Sequence, residues 1–288
     1  MRMRTISFAA AAVSLFAAAA LVALRPASAE PGDAKSMAQS HQHDTPTPTP
    51  AAMTEPRVPV EAREVSYGKT DTAELKGYLA RPKGAKGPLP GLIVIHEWWG
   101  LNDNIRAMTR RLAGEGYTAL AVDLYAGKNA TDPQAAMALM QAADANEAAG
   151  IANVKAAYDY LVTEQKAGTV GTIGWCFGGG WSLKTALALP DKVDATVMYY
   201  GKVVTDPKAL EPLKMPILGN FAGDDQGIPP SAVKEFEKAL KADGKTVDIK
   251  IYEGANHAFA NPSGKAYKPE AAEDAWKRTV AFFKKNLR

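Results

Sequence analysis

The chain has little cysteine, little histidine and almost no imbalance of charge. Of its 288 residues, 1 is cysteine and 4 are histidine, so no disulfide can form within the chain. Lysine and arginine number 34 against 31 acidic residues, but Arg2, Arg4 and Arg25 all belong to the first 29 residues. The remainder is therefore formally neutral, and it carries no basic stripe interleaved with aromatic residues. We expect no nucleic-acid partner, no metal and no other cofactor.

Long hydrophobic runs are also scarce, and the one that exists lies at the start of the chain. Residues 1–4 include two arginines, residues 6–24 are uncharged and rich in alanine, and Ala27-Ser28-Ala29 fits a cleavage site. This pattern predicts a cleaved signal peptide over residues 1–29 and a periplasmic or secreted protein without membrane contact after its removal. A retained anchor is the alternative, because the run is nearly long enough to span a bilayer.

The next segment is poor in large apolar residues. Residues 30–57 are rich in Ala, Ser, Gln, Thr and Pro, with three Thr-Pro repeats at residues 45–50. Such a composition buries too little apolar surface to offset its ordering entropy, which predicts a disordered linker. Residues 58–288 contain no second low-complexity break and are predicted to form one domain, as a monomer or a dimer.

Short apolar runs alternate with helical patterns throughout that domain. The predicted strands are Val60–Tyr67, Glu74–Arg81, Leu92–His96, Tyr117–Val122, Val170–Trp175, Ala195–Tyr200, Ile217–Ala222 and Val247–Tyr252. Helical patterns separate most of them, including two helices within residues 132–165 that we expect to break near Gly150. Alternation of this kind predicts an α/β fold with a mostly parallel central sheet and helices on both faces.

One motif points to nucleophilic chemistry. Gly174-Trp175-Cys176-Phe177-Gly178 joins a predicted strand to a predicted helix, and it has the form of the nucleophile elbow of α/β-hydrolases with cysteine as the nucleophile. Such a sharp turn strains the central residue and lifts its side chain clear of the sheet. The alternative is an inert buried cysteine, which the flanking glycines disfavour.

Two further strand ends carry residues that suit a cysteine nucleophile. Asp224 and Asp225 follow one strand, and His257 follows the next, so the order is nucleophile, acid and base. His257 would accept the thiol proton, and one aspartate would orient its ring. Each residue alone has a structural interpretation, as a turn aspartate or a satisfied histidine. The residues themselves leave open which aspartate is used.

The loop after the strand Leu92–His96 provides further candidates. The backbone amides of Trp98 and Phe177 would form an oxyanion hole, and Glu97 is a carboxylate placed to accept the thiol proton. A surface or salt-bridged glutamate is the alternative for Glu97. Trp98, Trp99 and Trp181 would line an apolar substrate pocket, or else serve only in packing.

Taken together, these segments resemble the dienelactone hydrolase family (carboxymethylenebutenolidase-like proteins). The matching pieces are residues 95–102, Asp123-Leu124-Tyr125, Gly174–Gly179, Gly223-Asp224-Asp225 with Ile228-Pro229, residues 252–259 and residues 272–276. The resemblance spans nearly all of residues 58–288 and implies an α/β-hydrolase fold. It further implies that Asp225 is the acid and that Glu97 helps to deprotonate Cys176 when substrate arrives.

The chain differs from the lactone-cleaving members at one position. Those members carry an arginine, implicated in handling a carboxylate, where this chain has Asn261, and residues 132–150 contain no arginine either. We therefore expect Asn261 to line a pocket for an ester, lactone or thioester, with a carboxylated dienelactone disfavoured. The main hypothesis is an exported cysteine hydrolase that forms an acyl-thioenzyme. The alternatives are a non-catalytic binding or scaffold protein and, more weakly, a redox-sensing thiol.

Overall fold

An eight-stranded sheet organises the domain. A computed structural model of the chain describes residues 46–70 and 73–287; the predicted signal peptide and the first part of the predicted linker lie outside these residues. The strands are β1 (Val60–Lys69), β2 (Glu74–Pro82), β3 (Gly91–Ile95), β4 (Thr118–Val122), β5 (Val170–Trp175), β6 (Ala195–Tyr199), β7 (Ile217–Ala222) and β8 (Val247–Tyr252). The spatial order is β1-β2-β4-β3-β5-β6-β7-β8. β1 and β2 pair antiparallel with their neighbours, and the other pairs are parallel.

Helices cover both faces of this sheet. They are α1 (Asp103–Gly114), α2 (Pro133–Ala145), α3 (Glu147–Thr163), α4 (Phe177–Ala188), α5 (Pro207–Leu210), α6 (Pro230–Ala242) and α7 (Pro269–Asn286). A Cβ added at Gly91 of β3 would contact Leu161 of α3. A Cβ added at Gly171 of β5, which pairs with the next residue of β3, Leu92, would contact Phe283 of α7. Because adjacent residues of a strand face opposite ways, α3 and α7 lie on opposite faces. The predicted α/β fold is confirmed.

The central strands are buried along their whole length. Every residue of β3, β4, β5, β6 and β7 is buried. Of the edge strands, β8 alternates between exposed and partly covered positions, and β1 is mostly exposed. Strands covered on both faces are apolar throughout, which explains why these short runs were recognisable in the sequence. Their carboxyl ends meet at one edge of the sheet, where the loops that carry the candidate residues are found.

The two helices within residues 132–165 break at Asn146 and not near Gly150. Asn146 ends α2 and precedes α3 with a non-helical backbone (φ −117°, ψ 48°). Gly150 lies inside α3, where an added Cβ would collide with the indole ring of Trp181. The glycine therefore permits close packing of α3 on α4 and does not end a helix.

Part of the predicted linker contacts the domain. Pro50–Met53 forms a 3₁₀ turn, and Ala52 is buried. The Thr49 amide donates to Ser263 Oγ at 3.0 Å, and the Thr49 hydroxyl donates to the Pro262 carbonyl at 2.8 Å. Residues 46–57, which we call the N-terminal segment, thus lie against the loop that follows His257.

The elbow depends on glycines at which a side chain has no room. An added Cβ at Gly174 would collide with the backbone of Gly178, and one at Gly178 would collide with the carbonyl of Ile95. These contacts let the first turn of α4 lie directly on the end of β3. Neither backbone can move without displacing a buried strand.

We expect Gly178→Ala to lower the free energy of unfolding by about 2 kcal/mol or more, because it overpacks backbone against backbone. Gly180→Ala, on the same helix, is the matched control, since its Cβ would lie at ordinary contact distance, 3.4 Å, from Lys202. That control should be neutral or stabilising by up to about 1 kcal/mol, given the higher helix propensity of alanine. Urea denaturation of both variants measures the difference. Equal midpoints would contradict this account of the elbow.

Candidate active site

Cys176 occupies the strained turn between β5 and α4. Its backbone has φ +55° and ψ −118°, a conformation that few residues other than glycine adopt. The Cys176 amide donates to the Tyr199 carbonyl at 3.0 Å, and the side chain is buried. The turn is thus held from the neighbouring strand β6, and it presents the sulfur at the carboxyl edge of the sheet.

His257 and Asp225 meet at the same edge. His257 Nδ1 lies 2.7 Å from Asp225 Oδ2, and both side chains are buried. The other carboxylate oxygen of Asp225 accepts the amides of Gly227 and Ile228, each at 2.9 Å. The structure therefore brings Asp225 to His257 and leaves Asp224 exposed.

Cys176 interacts with the same imidazole through its charge and a side-chain hydrogen bond. Because Nδ1 faces Asp225, the nitrogen that serves Cys176 is Nε2. Burial alone would lower the pKa of His257, but the charge of Cys176 and the hydrogen bonds to Asp225 and Cys176 outweigh it and raise that pKa to about 10. Burial would raise the pKa of Asp225, yet its hydrogen bond with His257 and its backbone donors hold it below the usual value.

Glu97 is buried beside this group and is held by Asn261. Asn261 Nδ2 donates to Glu97 Oε2 at 2.8 Å, and the Asn261 side-chain oxygen accepts the Ser263 amide at 2.9 Å. The Glu97 carboxylate thus has a neutral amide as its partner. The alternative of a surface glutamate is excluded by its burial, with 6% of its surface exposed.

The two candidate oxyanion donors come from adjacent backbones. Phe177 is the first residue of α4, so its amide has no acceptor within the helix. Trp98 lies in the tight loop after β3, which Gly100 completes with a φ of +95°. An added Cβ at Gly100 would lie 2.7 Å from the Lys128 carbonyl, so glycine is required for the loop to pack there.

The predicted pocket tryptophans are all buried. The rings of Trp98 and Trp99 pack edge to face, with centroids 5.1 Å apart. Trp181 lies under α3 against Gly150 and packs on Phe177, with ring centroids 6.0 Å apart. Trp181 therefore holds two helices together, and neither Trp99 nor Trp181 lines the cavity beside Glu97.

That cavity has about 20 Å³ of space for a water-sized molecule, and it joins the candidate site to the N-terminal segment. It is lined by Ala52, Glu97, Asn104, Ile105, Met108, Trp175, Tyr200, Ala260, Asn261 and Pro262. Asn104 Nδ2 and Trp175 Nε1 are buried there without a hydrogen-bond partner among the described residues. Such a set of donors suits a small acceptor, for example a water molecule.

Tyr200 is the site residue that the sequence analysis overlooked. It follows β6 with a φ of +36°, and its ring packs on His257 with centroids 5.2 Å apart. Burial, followed by the nearby charges of Glu97 and Cys176, raises its pKa well above the usual value, so the hydroxyl stays protonated. Its position at a strand end, next to the predicted triad strands, was the signal available in the sequence.

No group of three or more His, Cys, Asp or Glu within residues 46–70 and 73–287 has the geometry to hold a metal ion. In the same residues, no helix is long and apolar enough to cross a membrane.

The sequence profile of the dienelactone hydrolase family matches residues 75–287, which covers the sheet from β2 onwards and every candidate residue. The chain belongs to the dienelactone hydrolase family. It is 34% identical over 260 residues to a Saccharolobus solfataricus protein provisionally named carboxymethylenebutenolidase, an alignment that spans 77% of this chain and 98% of the relative. It is 39% identical over 223 residues to the Aquifex pyrophilus protein usf, spanning 74% and 94% of the two chains.

A solved structure from Klebsiella pneumoniae, provisionally named dienelactone hydrolase, has the same fold. It superposes with a TM-score of 0.71 at 31% identity and covers 78% of this chain and 99% of its own. The family resemblance inferred from the motifs is therefore confirmed, and this dienelactone hydrolase family member has the hydrolase fold that the resemblance implied.

The raised pKa of His257 predicts an ion pair at neutral pH. The charge of Cys176 stabilises the imidazolium, which should therefore persist to about pH 10, and the imidazolium in turn favours the thiolate. We expect the ultraviolet absorbance of the thiolate to disappear only in the acid range. In His257→Ala it should be lost as the pH falls below about 8.5.

The single cysteine makes this titration specific to Cys176. Asp224→Ala serves as the control, because it removes an exposed carboxylate from the same loop and should leave the profile unchanged. Coincident profiles for the wild type and His257→Ala would contradict the ion pair. They would instead favour a thiol that loses its proton only when substrate arrives, the route that the family resemblance implied for Glu97.

Proposed function

We propose that this protein is a cysteine-dependent hydrolase that cleaves a neutral ester, lactone or thioester through an acyl-thioenzyme. The observation that carries the proposal is the convergence of Cys176 and Asp225 on opposite nitrogens of one buried imidazole. Membership in a hydrolase family supports the same conclusion. A scaffold protein would not require a strained, buried cysteine next to a charged histidine.

The acylation step follows from the two contacts of His257. In the ion pair the proton of Cys176 already resides on His257 Nε2, and the thiolate sulfur adds to the substrate carbonyl carbon while the π electrons move to the carbonyl oxygen. The amides of Trp98 and Phe177 stabilise the resulting oxyanion, and Asp225 stabilises the imidazolium. When the intermediate collapses, the bond from carbon to the leaving group breaks and His257 protonates that group.

Deacylation reverses the roles. A water molecule gives its proton to His257 Nε2 and adds to the thioester carbon, forming a second oxyanion at the same amides. Its collapse expels the Cys176 thiolate and releases the carboxylic acid, which restores the ion pair with His257.

Glu97 and Asn261 define the preferred charge of the substrate. An arginine at position 261 would supply a cation for a substrate carboxylate. Asn261 supplies only a neutral amide, and that amide already donates a hydrogen bond to Glu97. Among residues 46–70 and 73–287, no lysine or arginine lines the adjacent cavity. A carboxylated substrate would meet the charges of Glu97 and Cys176, and the one cation of the proposed triad, the His257 imidazolium, already faces Asp225 and Cys176. We therefore propose that neutral substrates are preferred.

We also propose that the protein acts outside the cytoplasm. Support comes from the sequence alone: an arginine-containing start, an uncharged run over residues 6–24 and a small-residue cleavage site at Ala27-Ser28-Ala29.

The catalytic assignment is tested with an aryl acetate and mass spectrometry of the mature protein. We expect the wild type to show a transient acetyl adduct on Cys176, and Cys176→Ala to lose at least about 10³-fold in rate. Asp225→Ala should lose about 10²–10⁴-fold, whereas Asp224→Ala, which alters the exposed neighbour, should retain the wild-type rate. Equal hydrolysis by the wild type and Cys176→Ala would contradict the proposal and favour a non-catalytic protein.

The substrate preference is tested with Asn261→Arg. The substitution should raise kcat/KM for a carboxylated lactone, relative to its methyl ester, by about 10-fold or more, because it adds a cation at the pocket. Asn261→Gln is the matched control: it retains a neutral amide and should leave that ratio unchanged. An unchanged ratio in Asn261→Arg would show that residue 261 does not select the charge of the substrate.

A further inference from the structure

His96, the second histidine among the described residues, has two specific backbone contacts outside the proposed triad. Its Nδ1 lies 2.6 Å from the Glu97 carbonyl oxygen, and its Nε2 lies 3.2 Å from the Leu124 amide nitrogen. An amide can only donate, so Nε2 accepts and the ring proton resides on Nδ1, from which it is donated to Glu97. Burial lowers the pKa of His96, which favours this neutral form.

The hydrogen bond to Glu97 determines the direction of the next amide. The peptide between Glu97 and Trp98 is trans, so its C=O and N–H groups point in opposite directions. The carbonyl is held on the side of His96, and it also accepts the Gly100 amide at 3.3 Å. The Trp98 N–H must therefore point away from the His96 ring. Reversing that peptide would break both hydrogen bonds to the Glu97 carbonyl.

The same ring contacts the residue that carries the second oxyanion donor. The His96 imidazole stacks on Phe177, with centroids 5.7 Å apart and planes 20° from parallel, and it packs edge to face on Tyr125 at 4.5 Å. Through Leu124 it is also tied to the loop after β4. His96 thus links three segments at the carboxyl edge of the sheet: its own loop after β3, the loop after β4 and the elbow at Phe177.

We propose that His96 is a positioning residue that holds the Glu97–Trp98 peptide in the orientation required for the Trp98 amide to stabilise the oxyanion. The inference rests on the proposed function and adds to it the group that fixes one of its two donors. His96 does not contact the substrate; it acts through the peptide. The critical contact is the hydrogen bond that His96 Nδ1 donates to the Glu97 carbonyl. The Leu124 amide, by donating to Nε2, keeps the ring proton on Nδ1 and so makes that hydrogen bond possible.

Three variants separate these contacts. His96→Asn places an amide nitrogen where Nδ1 lies and so keeps the donor for the Glu97 carbonyl, whereas His96→Gln reaches the Leu124 amide and loses that donor. His96→Leu fills the space with neither group. We expect kcat for an aryl acetate to fall about 10- to 100-fold in His96→Leu and His96→Gln with KM little changed, a fraction of the loss of a whole oxyanion donor. His96→Asn should stay within about 5-fold of the wild type.

Alkylation of Cys176 by iodoacetamide provides the control. This reaction displaces iodide at a saturated carbon and develops no oxyanion, so its rate should be the same in all three variants and the wild type. A parallel loss of alkylation would show that His96 acts on the nucleophile, and it would overturn the inference. Equal kcat in His96→Leu and the wild type would also overturn it, while Cys176-dependent hydrolysis by the wild type would leave the proposed function intact.

A crystal structure of His96→Leu gives a reading that does not depend on activity. We expect the Glu97–Trp98 peptide to rotate, with its carbonyl moving away from the vacated imidazole position. An unchanged peptide in a folded variant would overturn the inference, even if the wild type hydrolysed none of the esters tried. If the wild type hydrolysed none of the esters tried, the proposed function would fail independently of the result for the peptide.

Discussion

The direct contact between the start of helix α4 and the end of strand β3 is the constraint on which the site depends. Gly178 has no Cβ, so its backbone lies against the carbonyls of Ile95 and His96. That contact sets the elbow beside the loop after β3 and so brings the Phe177 and Trp98 amides to one region. His257 and Asp225 lie on loops that follow more distant strands of the same sheet. They complete a site whose position this backbone contact has already set.

The distribution of charge in the site follows from its burial. Two buried carboxylates lie near one thiol, and they have different partners: Asp225 faces the imidazole of His257, whereas Glu97 faces the neutral amide of Asn261. In the proposed ion pair the imidazolium compensates Asp225 and the Cys176 thiolate together, and the carboxylate of Glu97 is a further negative charge. Burial raises the pKa of Tyr200, and the charges of Glu97 and Cys176 raise it further. A low-dielectric site with surplus negative charge disfavours anionic ligands, which is an electrostatic reason to expect neutral ones.

Much of this arrangement could be predicted from the sequence because the relevant signals are local. Buried parallel strands are continuous apolar runs, and the elbow requires its glycines within five residues, so the strands and Cys176 were recognisable. The position of the helix break was not, because Gly150 is explained by Trp181, 31 positions further along the chain. Long-range partners, such as Asn261 for Glu97 and the Leu124 amide that sets the tautomer of His96, depend on tertiary contacts that no local pattern encodes.

The N-terminal segment is a second case in which tertiary contacts decide a feature that the local sequence does not encode. Its composition predicts a chain without a core, yet residues 46–57 gain order from a few contacts with a surface that is already folded: two hydrogen bonds from Thr49, one from Asn102 to the Pro46 carbonyl, and the burial of Ala52. Ala52 forms one wall of the cavity beside Glu97, although it precedes residue 75, where the family match begins. The surroundings of Glu97 and Asn261 therefore do not follow from the family match alone, because a wall of their cavity comes from a segment outside it.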